Sequence, residues 1–160
     1  MKRAPCVADR FYPGSPKALA AELDRWLPSG VPSRKAIAAV APHAGYSYSG
    51  EVAGKVYAAL EVPDHVVVLC PKHTRYGATR AIMTEGTWSM PGFEVPVDRE
   101  LATAIRDACG LDEDSEAHRA EHSLEVQLPF LHRRNPNFAL TPIAVGASPL
   151  EALRRLGEGL

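Results

Sequence analysis

Charge of one sign is what this chain conspicuously lacks: 18 Lys and Arg stand against 19 Asp and Glu over 160 residues, a net of −1. The basic residues are also scattered, so no nucleic-acid footprint and no anionic-membrane surface is expected. Cysteine is scarce. Cys6, Cys70 and Cys109 are odd in number and have no C-x-x-C spacing, which argues against a disulfide framework and against a cysteine-based zinc site. Reduced thiols fit a cytoplasmic protein. No apolar run approaches the ~20 residues of a transmembrane helix. The N-terminal Met1-Lys2-Arg3-Ala4-Pro5-Cys6 has no apolar stretch behind its charges to act as a signal. What remains is an ordinary 46% hydrophobic content, enough at this length for a single domain over residues 1–160 with its own core.

The chain is organised around Ala38-Ala39-Val40-Ala41-Pro42-His43-Ala44-Gly45-Tyr46-Ser47-Tyr48-Ser49-Gly50. The apolar run Ala36 to Ala41 reads as a strand; it breaks at Pro42, presents His43 and turns through glycine, and Ser49 is an N-cap candidate for a helix over Glu51–Leu60. His65 to Cys70 reads as a second strand. Neither run alternates polar with apolar, so both read as strands of a parallel sheet covered on both faces, in a βαβ unit. The predicted class is α/β, with a mostly parallel central sheet and helices on both faces.

The second strand ends in Pro71-Lys72-His73, so two strands each deliver a histidine just past the carboxyl end, where open α/β sheets bind ligands. Adjacent strands lie ~4.8 Å apart, which lets His43 and His73 converge on one ion. Two unrelated loop histidines are the competing reading. His122 and Glu125, at i and i+3, share one side of a predicted helix over His118–Leu131, and serve either a structural network or a site. Phe11 and Tyr12 are arm residues packed on the domain or lining a pocket. Trp88 and Phe93, in a loop over 85–93, read as packing anchors.

Elsewhere, Ser15-Pro16 opens a helix through Leu27, and Asp98 caps a helix ending near Ala108, with Gly110 as its stop. Asp112 to Glu116 reads as a solvated acidic loop. Phe138 to Val145 is a strand, and Pro142 inside it predicts an edge position or a bulge. Ser148-Pro149 opens a last helix with Leu150, Leu153, Leu156 and Leu160 at apolar spacing.

Phe11-Tyr12-Pro13, Pro42 to Gly50, Pro71-Lys72-His73, Val95-Pro96-Val97-Asp98 and Glu121-His122-Ser123-Leu124-Glu125-Val126-Gln127-Leu128-Pro129-Phe130-Leu131, in this order and spacing, resemble the Memo family. Its prokaryotic members are called AmmeMemoRadiSam system protein B. The resemblance implies a fold similar to class III extradiol dioxygenases, which are non-haem iron enzymes. It implies that His43 and His73 match two metal-ligating positions, with iron or copper as the metal and a cysteine as the family's further ligand. Tyr48 and Phe11 match pocket positions, and His122 lies in the second large motif. His122 and Tyr48 are thus candidate catalytic or orienting residues, and Phe11, Tyr46 and Glu125 candidate pocket residues.

By the same resemblance, association with an AMMECR1-type protein and a radical SAM protein is implied, and eukaryotic members act as signalling adaptors with redox activity. Three departures stand out. Asp9 replaces a family glycine, and Lys72 replaces a small polar residue. Family members also run well beyond residue 160, so the C-terminal part of the fold and its cysteine ligand are expected to be absent, and the chain is expected to self-associate through an open sheet edge. The functions in contention are a dioxygenase-like metalloenzyme of possible redox or oxygenase activity, a non-catalytic binding protein or adaptor using the same cleft, and an inactive partial chain.

Overall fold

The computed structural model describes residues 1–160, and in it a two-residue strand, β1 (Lys2–Arg3), is followed by an irregular arm and the first helix, α1 (Pro16–Trp26). Ser15 Oγ accepts the Ala18 N–H at 3.2 Å, and Pro16 adds the pre-set φ of a first helical residue. Leu19 and Leu23 form the buried stripe.

Residues 36–41 are not a strand. Positions 31–40 are all exposed, Ile37 at 108% and Val40 at 93%, and the one bridge there pairs Arg34 with Leu60, outside any helix or strand. An apolar run becomes a strand only when a neighbour takes up its backbone groups, and here none lies beside it. The following helix, α2 (Tyr46–Ala58), starts five residues before the expected Glu51, with Gly45 at the N-cap. The physical reason is long-range: Phe11 of the arm accepts the Tyr46 N–H at 2.7 Å, satisfying a donor that a helix start leaves free. Ser49 sits inside the first turn and donates to the Ala44 carbonyl at 3.2 Å.

Helices α1 and α2 cross at Gly54, where an added Cβ would meet the Trp26 carbonyl oxygen at 1.9 Å. Backbone cannot move aside cheaply, so Gly54→Ala is expected to cost about 3 kcal/mol, the upper range of overpacking. Urea unfolding should show a lower midpoint with an unchanged slope; an unaltered midpoint would mean that the crossing is looser than drawn.

The remaining elements are β2 (His65–Pro71), β3 (Arg80–Ile82), β4 (Thr87–Met90), β5 (Phe93–Pro96), α3 (Arg99–Cys109), β6 (Asp112–Glu113), α4 (Glu116–Arg119), α5 (His122–Glu125), α6 (Leu128–Arg134), β7 (Ala139–Val145) and α7 (Leu150–Gly159). They build two mixed sheets, ordered β1-β4-β5 and β2-β7-β3-β6. The β1/β4, β2/β7 and β3/β6 pairs are parallel, while β4/β5 and β3/β7 are antiparallel. The α/β class holds, with two mixed sheets in place of one mostly parallel one. The loop expected over 85–93 is largely the β4–β5 hairpin, and the acidic stretch contributes β6. Asp98 and Gly110 bound α3 as anticipated, with Gly110 in the left-handed region at φ 62.

Strand β7 is interior despite Pro142. The Pro142 carbonyl faces Met83 N at 3.4 Å, so its missing N–H also faces that side, where β3 has already ended at Ile82. Only the reciprocal bond to the Met83 carbonyl is forgone, at the end of the β3 ladder. Leu140 and Ala144 of β7 face the larger core, with Trp88, Leu124, Leu128 and Phe130; Ile143 faces the smaller one under α3 and α7. Helices therefore cover both faces of this sheet. The single helix predicted over 118–131 is instead three short ones: Glu121 is extended and caps α5, which separates it from α4, and Pro129 cannot continue the i to i−4 ladder and becomes an early residue of α6. No helix is long and apolar enough to cross a membrane.

Candidate functional site

Three imidazoles meet at one end of β2. His43 stands two residues before Gly45, the N-cap of α2, His73 two residues past β2, and His122 opens α5. Ring centroids are 5.2 Å apart for His43 and His73, 4.7 Å for His73 and His122, and 6.2 Å for His43 and His122. An open cleft of about 760 Å³ is lined by Arg10, Phe11, His43, Tyr48 and His122 among others, and His73 stands next to it against the His43 and His122 rings. Phe11 meets His122 edge to face at 4.9 Å, and Tyr48 is 88% exposed at the rim.

The arm carrying Phe11 makes a tight turn at Asp9, whose φ of 61 is in the left-handed region. That explains the family glycine at this position. Asp9 tolerates the conformation because its Oδ1 accepts the Gly14 N–H at 2.7 Å, while Asp9 N donates to the Tyr12 carbonyl at 2.8 Å.

Glu121, which the sequence reading quoted only as part of a motif, is the buried anion of the site. Its Oε2 accepts the His73 backbone N–H at 2.6 Å, and its Oε1 lies 3.0 Å from His73 Nδ1 and accepts the Ser123 N–H at 3.0 Å. His122 Nδ1 lies 3.4 Å from the same Oε1. Burial alone would raise this carboxyl, yet the His73 and Ser123 hydrogen bonds hold it down at about 2. One signal for it was available: Glu121 sits two residues before Ser123, the offset at which an N-cap side chain takes a backbone N–H.

Glu125 and Tyr46, expected as pocket residues, lie beneath the cleft. Glu125 is fully buried and pairs with the equally buried Arg3; it also accepts from Cys6 N at 2.9 Å, Val7 N at 3.1 Å and Tyr12 Oη at 2.5 Å. The His122–Glu125 spacing thus serves a structural network on the Glu125 side and the cleft on the His122 side. Tyr46 donates to the Val126 carbonyl at 2.9 Å within the core. Arg3 reaches further, with Nε on the His118 carbonyl at 3.1 Å, Nη2 on the Glu121 carbonyl at 2.8 Å, and its guanidinium 4.2 Å from the Trp88 ring centroid. No local pattern in the sequence marks Arg3 as buried.

The donor set fits a transition metal. Imidazoles sharing one ion have centroids on the order of 5 Å apart, as the two His73 pairs do, and a cluster of His73, Glu121 and His122 brings ligand atoms within 4.8 Å of one another. Lys72 does not oppose it, because its ammonium turns back to the Thr74 carbonyl at 2.9 Å. The cysteines add nothing to the cleft: burial, then Glu125, pushes Cys6 up to about 11, and burial pushes Cys70 up to about 12.

An α/β fold with a cluster of histidines past the carboxyl end of a strand, β2, defines a class of candidate metal-binding proteins. The sequence profile of the family described as Memo-like protein matches residues 3–160, and this chain belongs to the Memo family. It is 39% identical over 176 aligned residues to a MEMO1 family protein of Methanopyrus kandleri, covering 100% of this chain and 62% of that protein. It is 42% identical to MEMO1 family proteins of Methanosarcina barkeri, covering 97% of this chain and 58% of the relative, and of Archaeoglobus fulgidus, covering 98% and 59%. The chain spans about three-fifths of the length of these relatives.

Proposed function

We propose that the cleft is a metal-binding site of the dioxygenase-like, non-haem type, with His73, His122 and His43 as its nitrogen donors and a small aromatic molecule as its substrate class. The observation that carries this reading is the convergence of three imidazoles from three separate parts of the chain, two of them, His43 and His122, lining one open cleft. Iron or copper, when bound, would supply redox chemistry towards oxygen, and imidazole suits both metals. The chain's own residues have distinct tasks. His43 and His122 line the cleft, and His73 adds a third ring nitrogen beside them. Phe11 and Tyr48 offer ring faces for an aromatic substrate, and Arg10 places a cation at the rim.

Anaerobic Fe(II) titration and aerobic Cu(II) titration of protein stripped of metal test the reading. One equivalent is expected to bind. His73→Ala should weaken binding by more than about 100-fold, exceeding the 10–100-fold expected of a group that only supports a ligand. Stoichiometry below about a tenth of an equivalent, unaffected by His43→Ala or His73→Ala, would leave the cleft as a binding surface without turnover.

A further inference from the structure

We infer that Glu121 is a positioning residue, which holds His73 in the Nδ1–H tautomer and leaves the Nε2 lone pair free beside the His43 and His122 rings. Its consequence for metal affinity rests on the function proposed above; the tautomer does not.

Proximity alone would make Glu121 a ligand, since it shares a 4.8 Å cluster with His73 and His122. Its hydrogen bonds assign it otherwise. Oε2 accepts the His73 backbone N–H at 2.6 Å, and Oε1 accepts the Ser123 N–H at 3.0 Å. Both oxygens therefore face backbone donors, and a proton on either would point at another N–H. The carboxylate is an acceptor on both sides, so the third contact, 3.0 Å from Oε1 to His73 Nδ1, requires the ring nitrogen to donate. A neutral imidazole has one donor and one acceptor, which leaves Nε2 as the free base.

The arrangement is also stiff. One carboxylate grips both the backbone and the ring of His73, which fixes the side chain against rotation. Glu121 is itself held from both sides, because Arg3 Nη2 donates to its carbonyl at 2.8 Å and Ser123 Oγ donates to the Pro71 carbonyl at 2.8 Å. The loop after β2 and the turn before α5 are thus tied together in both directions. Glu121 is fully buried with three hydrogen bonds on its carboxylate, so turning it onto an ion would require breaking this tie.

Long-range 1H–15N correlation spectra of metal-free, histidine-labelled protein at neutral pH read the tautomer directly. The expected wild-type result is a His73 with protonated Nδ1 and bare Nε2. Glu121→Gln keeps the shape but turns an amide N–H₂ towards one of the donors, so it should shift His73 to a mixture of tautomers. Glu121→Asp, which keeps the charge and shortens the reach, should restore part of the wild-type signal. In parallel Cu(II) titrations, Glu121→Gln should bind 10–100-fold more weakly than wild type. A wild-type His73 protonated on Nε2, or a Glu121→Gln protein with unchanged tautomer, overturns the inference. A wild-type Nδ1–H tautomer lost in Glu121→Gln, in a protein that binds no metal, supports the positioning role and sinks the metal reading alone.

Discussion

Glu125→Leu is expected to lower the unfolding free energy by about 3–5 kcal/mol, the cost of removing one partner from a buried ion pair. For a chain of this length that amounts to a melting temperature roughly 10 °C lower, at about 2–4 °C per kcal/mol. The size follows from what is left behind. Arg3 would keep its charge with no carboxylate, and the N–H groups of Cys6 and Val7 and the hydroxyl of Tyr12 would lose their shared acceptor. Burial works against the ionised carboxyl, but Arg3 and then the Tyr12 and Cys6 hydrogen bonds hold Glu125 below its ordinary 4.5. Its stabilisation is accordingly present above that value and lost as the pH falls below it. Arg3→Met combined with Glu125→Leu should be more stable than Glu125→Leu alone, because no unpaired charge remains. Thermal melts of the three proteins check the prediction; a Glu125→Leu protein within about 1 kcal/mol of wild type would show that the pair is solvated.

The second large effect is a dependence on acid that centres on His118. This residue is fully buried, neither ring nitrogen has a hydrogen-bond partner, and it packs edge to face on Trp88 at 6.0 Å. Burial, and then the charge of Arg3, push its pKa down from 6.5 to about 4, against the smaller opposing pull of the Ala81 backbone, Asp114 and Glu121. The folded protein therefore binds this proton less readily than the unfolded chain. The stabilisation is complete above 6.5 and drains away as the pH falls from 6.5 towards 4, about 2 kcal/mol of it by pH 5. His118→Leu removes both the titrating group and its unpartnered nitrogens. Urea unfolding at pH 7.5 and pH 5 should show wild type losing about 2 kcal/mol more than His118→Leu. Equal losses in the two proteins would place the acid sensitivity elsewhere.

What could be read from the sequence was mostly what is settled locally. Ser15, Asp98 and Gly110 bound their helices because capping uses groups within three or four residues, and β2 is announced by its own run of valines. The apolar run at 36–41 has the same composition as a strand, but composition says nothing about what lies across from it. Pro142 was read as an edge signal because the end of β3, which makes it harmless in an interior strand, is set some sixty residues earlier. The site divided in the same way. His73 was visible because it stands just past β2; His43 was found at the end of a strand that does not form, and His122 by its i, i+3 spacing with Glu125 and its motif. The partners of Glu121 and Glu125 were not, since His73 and Arg3 lie 48 and 122 residues away in sequence.

That last separation bears on the order of assembly. Lys2 and Arg3 have no partners until β4 and the turn around Glu121 and Glu125 are in place, so the arm is held by contacts that reach up to 122 residues along the sequence. Closing so long a loop is entropically slow and rewards the chain only at the end. Because Arg3 grips the Glu121 carbonyl and Phe11 receives the first N–H of α2, the same long-range closure supports the segments that carry His43, His73 and His122. The histidine cluster is therefore tied to the N-terminal arm, and loosening the arm is expected to loosen the cluster with it.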